Sequence, residues 1–196
     1  MERHALVRQE DGPARLHPRL LRVVAGELGG RRLVAPRGLA TRPTSDRVRE
    51  ALFSALGVVT GARVLDLYAG TGALAIEALS RGAAHATLVE SERAALASIR
   101  ENVAALGLGA RAVIVASRVA RAVPRLLGPF DLAFVDPPYA ALADAVAVIE
   151  ALSGQLAPSA RVVLEHASRD AAPDVGGLAR AEPRVYGDTA LTFYTA

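Results

Sequence analysis

Val64-Leu65-Asp66-Leu67-Tyr68-Ala69-Gly70-Thr71-Gly72 is an apolar strand running into a glycine turn, and the helix-forming stretch Ala73-Leu74-Ala75-Ile76-Glu77-Ala78-Leu79 follows at once. Glycines at such a point let the backbone turn sharply and let a ligand approach the main chain, while the N-terminus of the next helix offers free N–H groups. Eighteen residues past Gly72, Glu90 closes the strand-like His85-Ala86-Thr87-Leu88-Val89. A carboxylate there can accept both hydroxyls of a ribose. The whole reads as a βαβ nucleotide site.

Outward from this unit, apolar runs alternate with helical patterns. Strands are expected at about 62–67, 85–90, 111–116, 131–136 and 161–166, and helices at about 72–81, 92–106, 117–127 and 141–152. The strands are continuously apolar rather than alternating, which implies burial on both faces and therefore a parallel sheet. The rhythm changes near the end, where 179–186 and 189–194 flank Gly187-Asp188 as an antiparallel hairpin. The fold class is α/β, with a mostly parallel sheet covered by helices on both faces.

The glycine turn alone does not settle which nucleotide binds, because Gly70-Thr71-Gly72-Ala73-Leu74-Ala75 also fits the G-x-G-x-x-A dinucleotide fingerprint with Glu90 at a suitable distance. Asp66 tips the balance. A pyrophosphate would meet like charge there, whereas an ammonium would be attracted, and S-adenosylmethionine carries one. No Gly-Lys-Ser or Gly-Lys-Thr follows, which excludes a phosphate-gripping P-loop.

A second motif, Asp136-Pro137-Pro138-Tyr139, ends the apolar run Leu132-Ala133-Phe134-Val135. Two prolines fix φ and remove N–H donors, leaving carbonyl acceptors on a stiff segment. Asp136 adds a carboxylate acceptor, and Tyr139 a face on which a base extruded from its stack can rest. An exocyclic amine delocalised into a nucleobase needs such acceptors and such rigid orientation before it can take a methyl group.

Asp66 to Gly72, Glu90 and Asp136 to Tyr139 together resemble the ordered motifs of Rossmann-like, S-adenosylmethionine-dependent methyltransferases acting on amino groups. Arg42-Pro43-Thr44-Ser45-Asp46-Arg47-Val48-Arg49-Glu50 resembles the N-terminal signature of the RsmD family, which methylates N2 of guanine 966 in bacterial 16S ribosomal RNA. The likeness runs from about Leu21 to Tyr194. It implies a seven-stranded sheet with an antiparallel C-terminal hairpin, preceded by a small N-terminal hairpin and helix. It places Asp66 near the methionine ammonium and Glu90 on the ribose hydroxyls, with the backbone around Tyr68, Gly70 and Gly72 wrapping the cofactor. Asp136 and the Pro137 carbonyl would accept the N2 hydrogens, and Asp136 would take the proton late, with no metal and no covalent intermediate. The next strand end departs from the commoner acidic pattern: Ala116-Ser117-Arg118 offers the Ser117 hydroxyl either to the adenine or, more simply, as a helix N-cap.

Composition agrees. A chain of 196 residues that is 52% hydrophobic can form one domain with a sizeable core. With no cysteine, disulfides, thiolate metal sites and cysteine nucleophiles are all excluded. No apolar run reaches a membrane span and no secretory signal is evident, so a cytoplasmic chain without membrane partners is expected. Residues 1–50 carry 11 Arg against 6 acids and the remainder 12 Arg against 14, so the basic surplus is wholly N-terminal and faces a polyanionic partner.

The N-terminal part divides further. Residues 1–19 show no sustained period and are expected as a basic tail outside the family likeness. Residues 20–60 form an RNA-facing extension before the catalytic domain at 61–196. Within it, 20–25 and 31–34 make a hairpin exposing Arg31 and Arg32 to phosphates. Thr44, Ser45 or Asp46 then caps a helix with Val48, Ala51, Leu52, Ala55 and Leu56 on its apolar face. Arg42, Thr44, Arg47 and Arg49 are expected to reach substrate or cofactor. The expected partner is 16S ribosomal RNA within a small-subunit assembly intermediate, met by a monomer. The alternatives are an adenine-N6 or other amino methyltransferase on DNA or RNA, an NAD oxidoreductase lacking an evident hydride-transfer acid or base, and a non-catalytic RNA-binding module.

Overall fold

The computed structural model describes residues 21–36, 45–138 and 142–196. Its strands are β1 (Arg63–Leu67), β2 (His85–Glu90), β3 (Ala112–Ala116), β4 (Phe130–Val135), β5 (Leu156–Ala167), β6 (Ala179–Arg180), β7 (Arg184–Tyr186) and β8 (Thr189–Thr195). They make one sheet in the order β3-β2-β1-β4-β5-β8-β6, with β7 also on β8. The first five are parallel, and β8 runs antiparallel to β5. The helices are α1 (Asp46–Leu56), α2 (Ala73–Ser80), α3 (Arg93–Ala105), α4 (Val119–Ala122) and α5 (Leu142–Ala151).

Continuous apolarity in the central strands is explained by two cores, one on each face. Leu88 and Phe134 pack with Phe53 of α1, Ile76 and Leu79 of α2 and Ile99 of α3. The Phe53 ring meets Phe134 edge-on, with centroids 5.7 Å apart. Neighbouring positions Leu67, Val89, Val135 and Leu164 point the other way, into a core with Val119 and Ile149. Alternate side chains thus serve opposite faces, and both faces demand apolar residues.

Local chemistry sets the element ends. Among the three candidate caps of α1, Ser45 is the one used: its Oγ accepts the Val48 N–H at 3.3 Å. The helix expected over 117–127 stops after a single turn and passes into a 3₁₀ turn at Val123–Arg125, because Pro124 has no N–H and its ring would crowd the preceding turn. The arm expected at 179–186 is split into β6 and β7 around Pro183, which cannot donate to the ladder.

The N-terminal hairpin keeps only one bridge, Arg22 to Arg32. Several of its other amides are taken by side chains of the main domain. Glu77, fully buried in α2, accepts from Val24 N at 2.6 Å and Ala25 N at 3.0 Å. Ser80 accepts from Leu28 N at 3.0 Å. Asn102 of α3 accepts from Val34 N at 2.7 Å and donates to both the Val34 carbonyl at 3.0 Å and the Thr71 carbonyl at 3.1 Å. Leu21, Val23 and Leu33 enter the same core as α1–α3, so residues 21–36 are sewn onto one face of the domain. The tail at 1–19 lies outside the described residues. Among those described, no helix is long and apolar enough to cross a membrane.

Candidate active site

The connection from β1 to α2 leaves the sheet through left-handed backbone: Tyr68 at φ 62°, Gly70 at 56° and Gly72 at 77°. Tyr68 is strained there by about 1 kcal/mol or more, as residues at ligand-shaped turns often are. A Cβ on Gly72 would stand 2.9 Å from Leu88 Cδ2, so glycine allows helix and strand to approach. At Gly70 the nearest atom to such a Cβ would be the Tyr68 carbonyl oxygen, 3.9 Å away, which leaves space beside the main chain.

Two acids grip this turn. Asp66 is 1% exposed and its Oδ2 accepts the Ala75 N–H at 3.0 Å, pinning the first turn of α2. Burial pushes its carboxyl up to about 7; the Ala75 amide opposes this and the Glu90 charge adds to it. Glu90 ends β2, with Oε2 accepting Gly70 N at 2.8 Å and Oε1 accepting Ser91 N at 2.6 Å and Glu92 N at 2.8 Å. A carboxylate has about four acceptor positions, so three amides orient Glu90 and leave capacity for a hydroxyl.

A cavity of about 550 Å³ opens beside the turn, with Tyr68, Glu90, Ser91 and Arg118 on one side and Val119 and Val148 among its apolar walls. Its size suits a nucleoside-sized ligand. The lining fits the nucleoside part of S-adenosylmethionine, with an acceptor for a ribose hydroxyl at Glu90 and an apolar wall for a flat base, while Asp66 lies buried behind the turn and is not among the lining residues.

The cap expected at Ser117 is not formed, since the N-cap position of α4 belongs to Arg118 and has no side-chain cap; Ser117, like Asp66, Gly70 and Gly72, is not among the residues lining the cavity. The Ser117 hydroxyl instead donates to the Arg118 carbonyl at 3.2 Å, while its N–H extends the sheet to the Glu90 carbonyl at 2.9 Å. Ser91 and Arg118, which the sequence did not single out, hold the wall.

Asp136 is the first residue beyond β4, and its N–H reaches the Leu67 carbonyl at 3.5 Å. The residue keeps some exposed surface, but burial of its carboxyl raises its pKa well above the ordinary carboxylate range, and the charges of Glu165 and then Asp66 raise it further. Burial and the neighbouring acids thus favour the protonated form of Asp136 more than in the ordinary carboxylate expected from sequence. Pro137 is buried and Pro138 exposed; Tyr139 lies outside the described residues. The charge of Glu90 acts on Asp66 and that of Asp66 on Asp136, which links the three strand-end acids that the sequence placed at one sheet edge. Glu165, a fourth acid on the next strand, was overlooked, although its register beside Asp136 marks it.

On the N-terminal side, Arg31, Arg32 and Arg47 are exposed. Arg42 and Thr44 lie outside the described residues. Arg49 is a second correction: rather than reaching outward, it is 1% exposed, and its Nη2 donates to the Arg22 carbonyl at 2.6 Å and to Asp46 Oδ1 at 2.8 Å. Asp46 also holds Arg22 Nε at 2.9 Å. Burial lowers the Arg49 pKa, against the pull of Asp46 and Glu77. Arg49 clamps the hairpin to α1.

A glycine turn under a strand-end acid, a second acid on the next strand and an Asp-Pro-Pro segment at the strand-order switch between β1 and β4 define the class of Rossmann-like, S-adenosylmethionine-dependent methyltransferases. The family model described as conserved hypothetical protein 95 matches residues 21–195. Ribosomal RNA small subunit methyltransferase D of Escherichia coli K12 is 39% identical over 158 residues, 79% of each chain. Among solved structures, the Escherichia coli protein yhhF superposes with a TM-score of 0.79 at 37% identity, covering 89% of this chain and 97% of its own. A hypothetical protein of Thermus thermophilus, TTHA0928, gives 0.77 at 36%, covering 89% and 98%. This chain belongs to the RsmD family.

Proposed function

We propose that this chain transfers the methyl group of S-adenosylmethionine to N2 of a guanine in small-subunit ribosomal RNA, guanine 966 by family correspondence. The observation that carries the reading is Asp136-Pro137 at the end of β4, across the switch point from the Asp66–Gly72 turn. Bound there, S-adenosylmethionine supplies an electrophilic methyl on sulfur. Glu90 holds its ribose, Asp66 its ammonium, and the main chain at Tyr68, Gly70 and Gly72 runs beneath it. Ser91 and Arg118 flank the adenine in place of Ser117.

Asp136 and the Pro137 carbonyl accept the two N2 hydrogens, turning the nitrogen lone pair out of conjugation and toward the methyl. As the nitrogen gains its methyl it becomes acidic, and Asp136 takes the proton; its raised pKa makes it better suited to this than an ordinary carboxylate. Tyr139 is the surface on which the flipped base stacks. Arg31, Arg32 and Arg47, with Arg42 and Thr44, meet RNA phosphates within a partly assembled subunit. The protein acts in the cytoplasm as a monomer, without a metal. An adenine-N6 target is the competing reading, since Asp-Pro-Pro-Tyr serves either amine.

The test is transfer of labelled methyl to small-subunit particles from a strain lacking the gene, with the modified base mapped by mass spectrometry. Asp136→Ala should lower transfer by at least about a thousandfold while S-adenosylmethionine still binds, since it removes both an acceptor and the base. Label on adenine, or full activity in that variant, would overturn the assignment.

A further inference from the structure

β4 and β5 are parallel with Val135 opposite Leu164 as their last pair, and Asp136 and Glu165 each follow that pair at the carboxyl edge of the sheet, close enough for the charge of Glu165 to act on Asp136. Side chains two apart share a face. Phe134 and Val163, two residues before each acid and opposite one another, both enter the core beneath α1–α3. Glu165 and Asp136 therefore rise from the same face. Glu165 is only 7% exposed, and it is the largest charged influence on Asp136.

Two carboxylates so placed suit one edge of one base. Guanine presents N1–H immediately beside its N2 amine, a row of donors; adenine presents a lone pair at N1 beside its N6 amine. Asp136 and the Pro137 carbonyl occupy the amine hydrogens. An acceptor one strand further along the edge matches N1–H and repels a lone pair. We propose that Glu165 accepts the N1–H of the target guanine and is the residue that selects guanine over adenine. This rests on the N2-methylation reading above and names the group that makes it specific.

The probe is 2-aminopurine, which keeps the reacting 2-amino group but carries a lone pair at N1. Small-subunit particles are reconstituted with 16S ribosomal RNA bearing either guanine or 2-aminopurine at the target position, and kcat/KM is measured for each. The unaltered protein should prefer guanine by about a hundredfold or more, because guanine offers N1–H to the carboxylate where 2-aminopurine sets a lone pair against it. In Glu165→Gln the amide can turn its N–H toward N1, so the preference should fall to within about tenfold, chiefly through a gain on 2-aminopurine. S-adenosylmethionine affinity should be unchanged, which reports that the variant is folded.

A Glu165→Gln protein that loses activity on both bases equally would overturn the proposal, leaving Glu165 a structural role. Equal rates on guanine and 2-aminopurine by the unaltered protein would overturn it without any variant. Failure of the unaltered protein on guanine particles would instead refute the N2-methylation reading itself.

Discussion

Asp66 is the acid whose environment makes the most quantitative demand on cofactor binding. Its carboxyl titrates at about 7 in the unliganded protein, whereas an ammonium beside it favours the charged form. Binding then draws on the ionised fraction, which is about nine-tenths at pH 8 and about one-tenth at pH 6 for a group of that pKa. The dissociation constant for S-adenosylmethionine should rise about tenfold from pH 8 to pH 6, or about 1.4 kcal/mol, and binding at pH 6 should release close to one proton. Isothermal titration in buffers of different ionisation heat measures both. Asp66→Asn should bind weakly, with little pH dependence over this range. A flat affinity in the unaltered protein, with no proton released, would refute the placement of the ammonium at Asp66.

The same group makes a stability prediction of opposite sign to an acid whose pKa folding depresses. Folding raises its pKa from 3.8 to about 7, so the folded state holds the proton more tightly than the unfolded chain. That advantage is complete below the unfolded pKa and is lost as pH rises through the folded one. The loss approaches about 4 kcal/mol above pH 7, and Asp66→Asn should abolish it in unliganded denaturation curves. Arg49→Ala should act on stability rather than on RNA, because it leaves the Arg22 carbonyl and Asp46 without their buried partner; a loss of about 2–4 kcal/mol is expected, read as a fall in thermal midpoint. Arg31→Ala with Arg32→Ala should do the reverse: the midpoint stays within about 1 °C, while the salt dependence of RNA binding becomes shallower by up to about two phosphate contacts, measured by filter binding across a salt series.

The glycine turn and its flanking strands were readable from sequence because local chemistry and sheet position agree there: Gly72 is required both by its left-handed φ and by Leu88. The doubly covered sheet was readable from unbroken apolar runs. What was not readable depends on partners distant along the chain. Nothing near Arg49 tells that its guanidinium will end on a carbonyl 27 residues earlier, or that Glu77, Ser80 and Asn102 will take the hairpin amides of Val24, Ala25, Leu28 and Val34. Ser117 was drawn toward a cap by its residue type, but the chain begins α4 one residue later than such a cap requires. Glu165 was hidden inside an apolar run, where a single acid looks like the end of a strand and becomes meaningful only when β4 is laid beside it.

The carboxamide of Asn102 has a mechanical consequence. One buried side chain ties Val34, on the arm proposed to meet RNA, to Thr71, in the turn proposed to run beneath the methyl donor. Neither segment can slide against α3 without stranding a polar atom away from water, a penalty of about 1–3 kcal/mol. If the proposed roles of arm and turn hold, the distance between RNA contact and methyl donor is restrained at folding rather than at encounter.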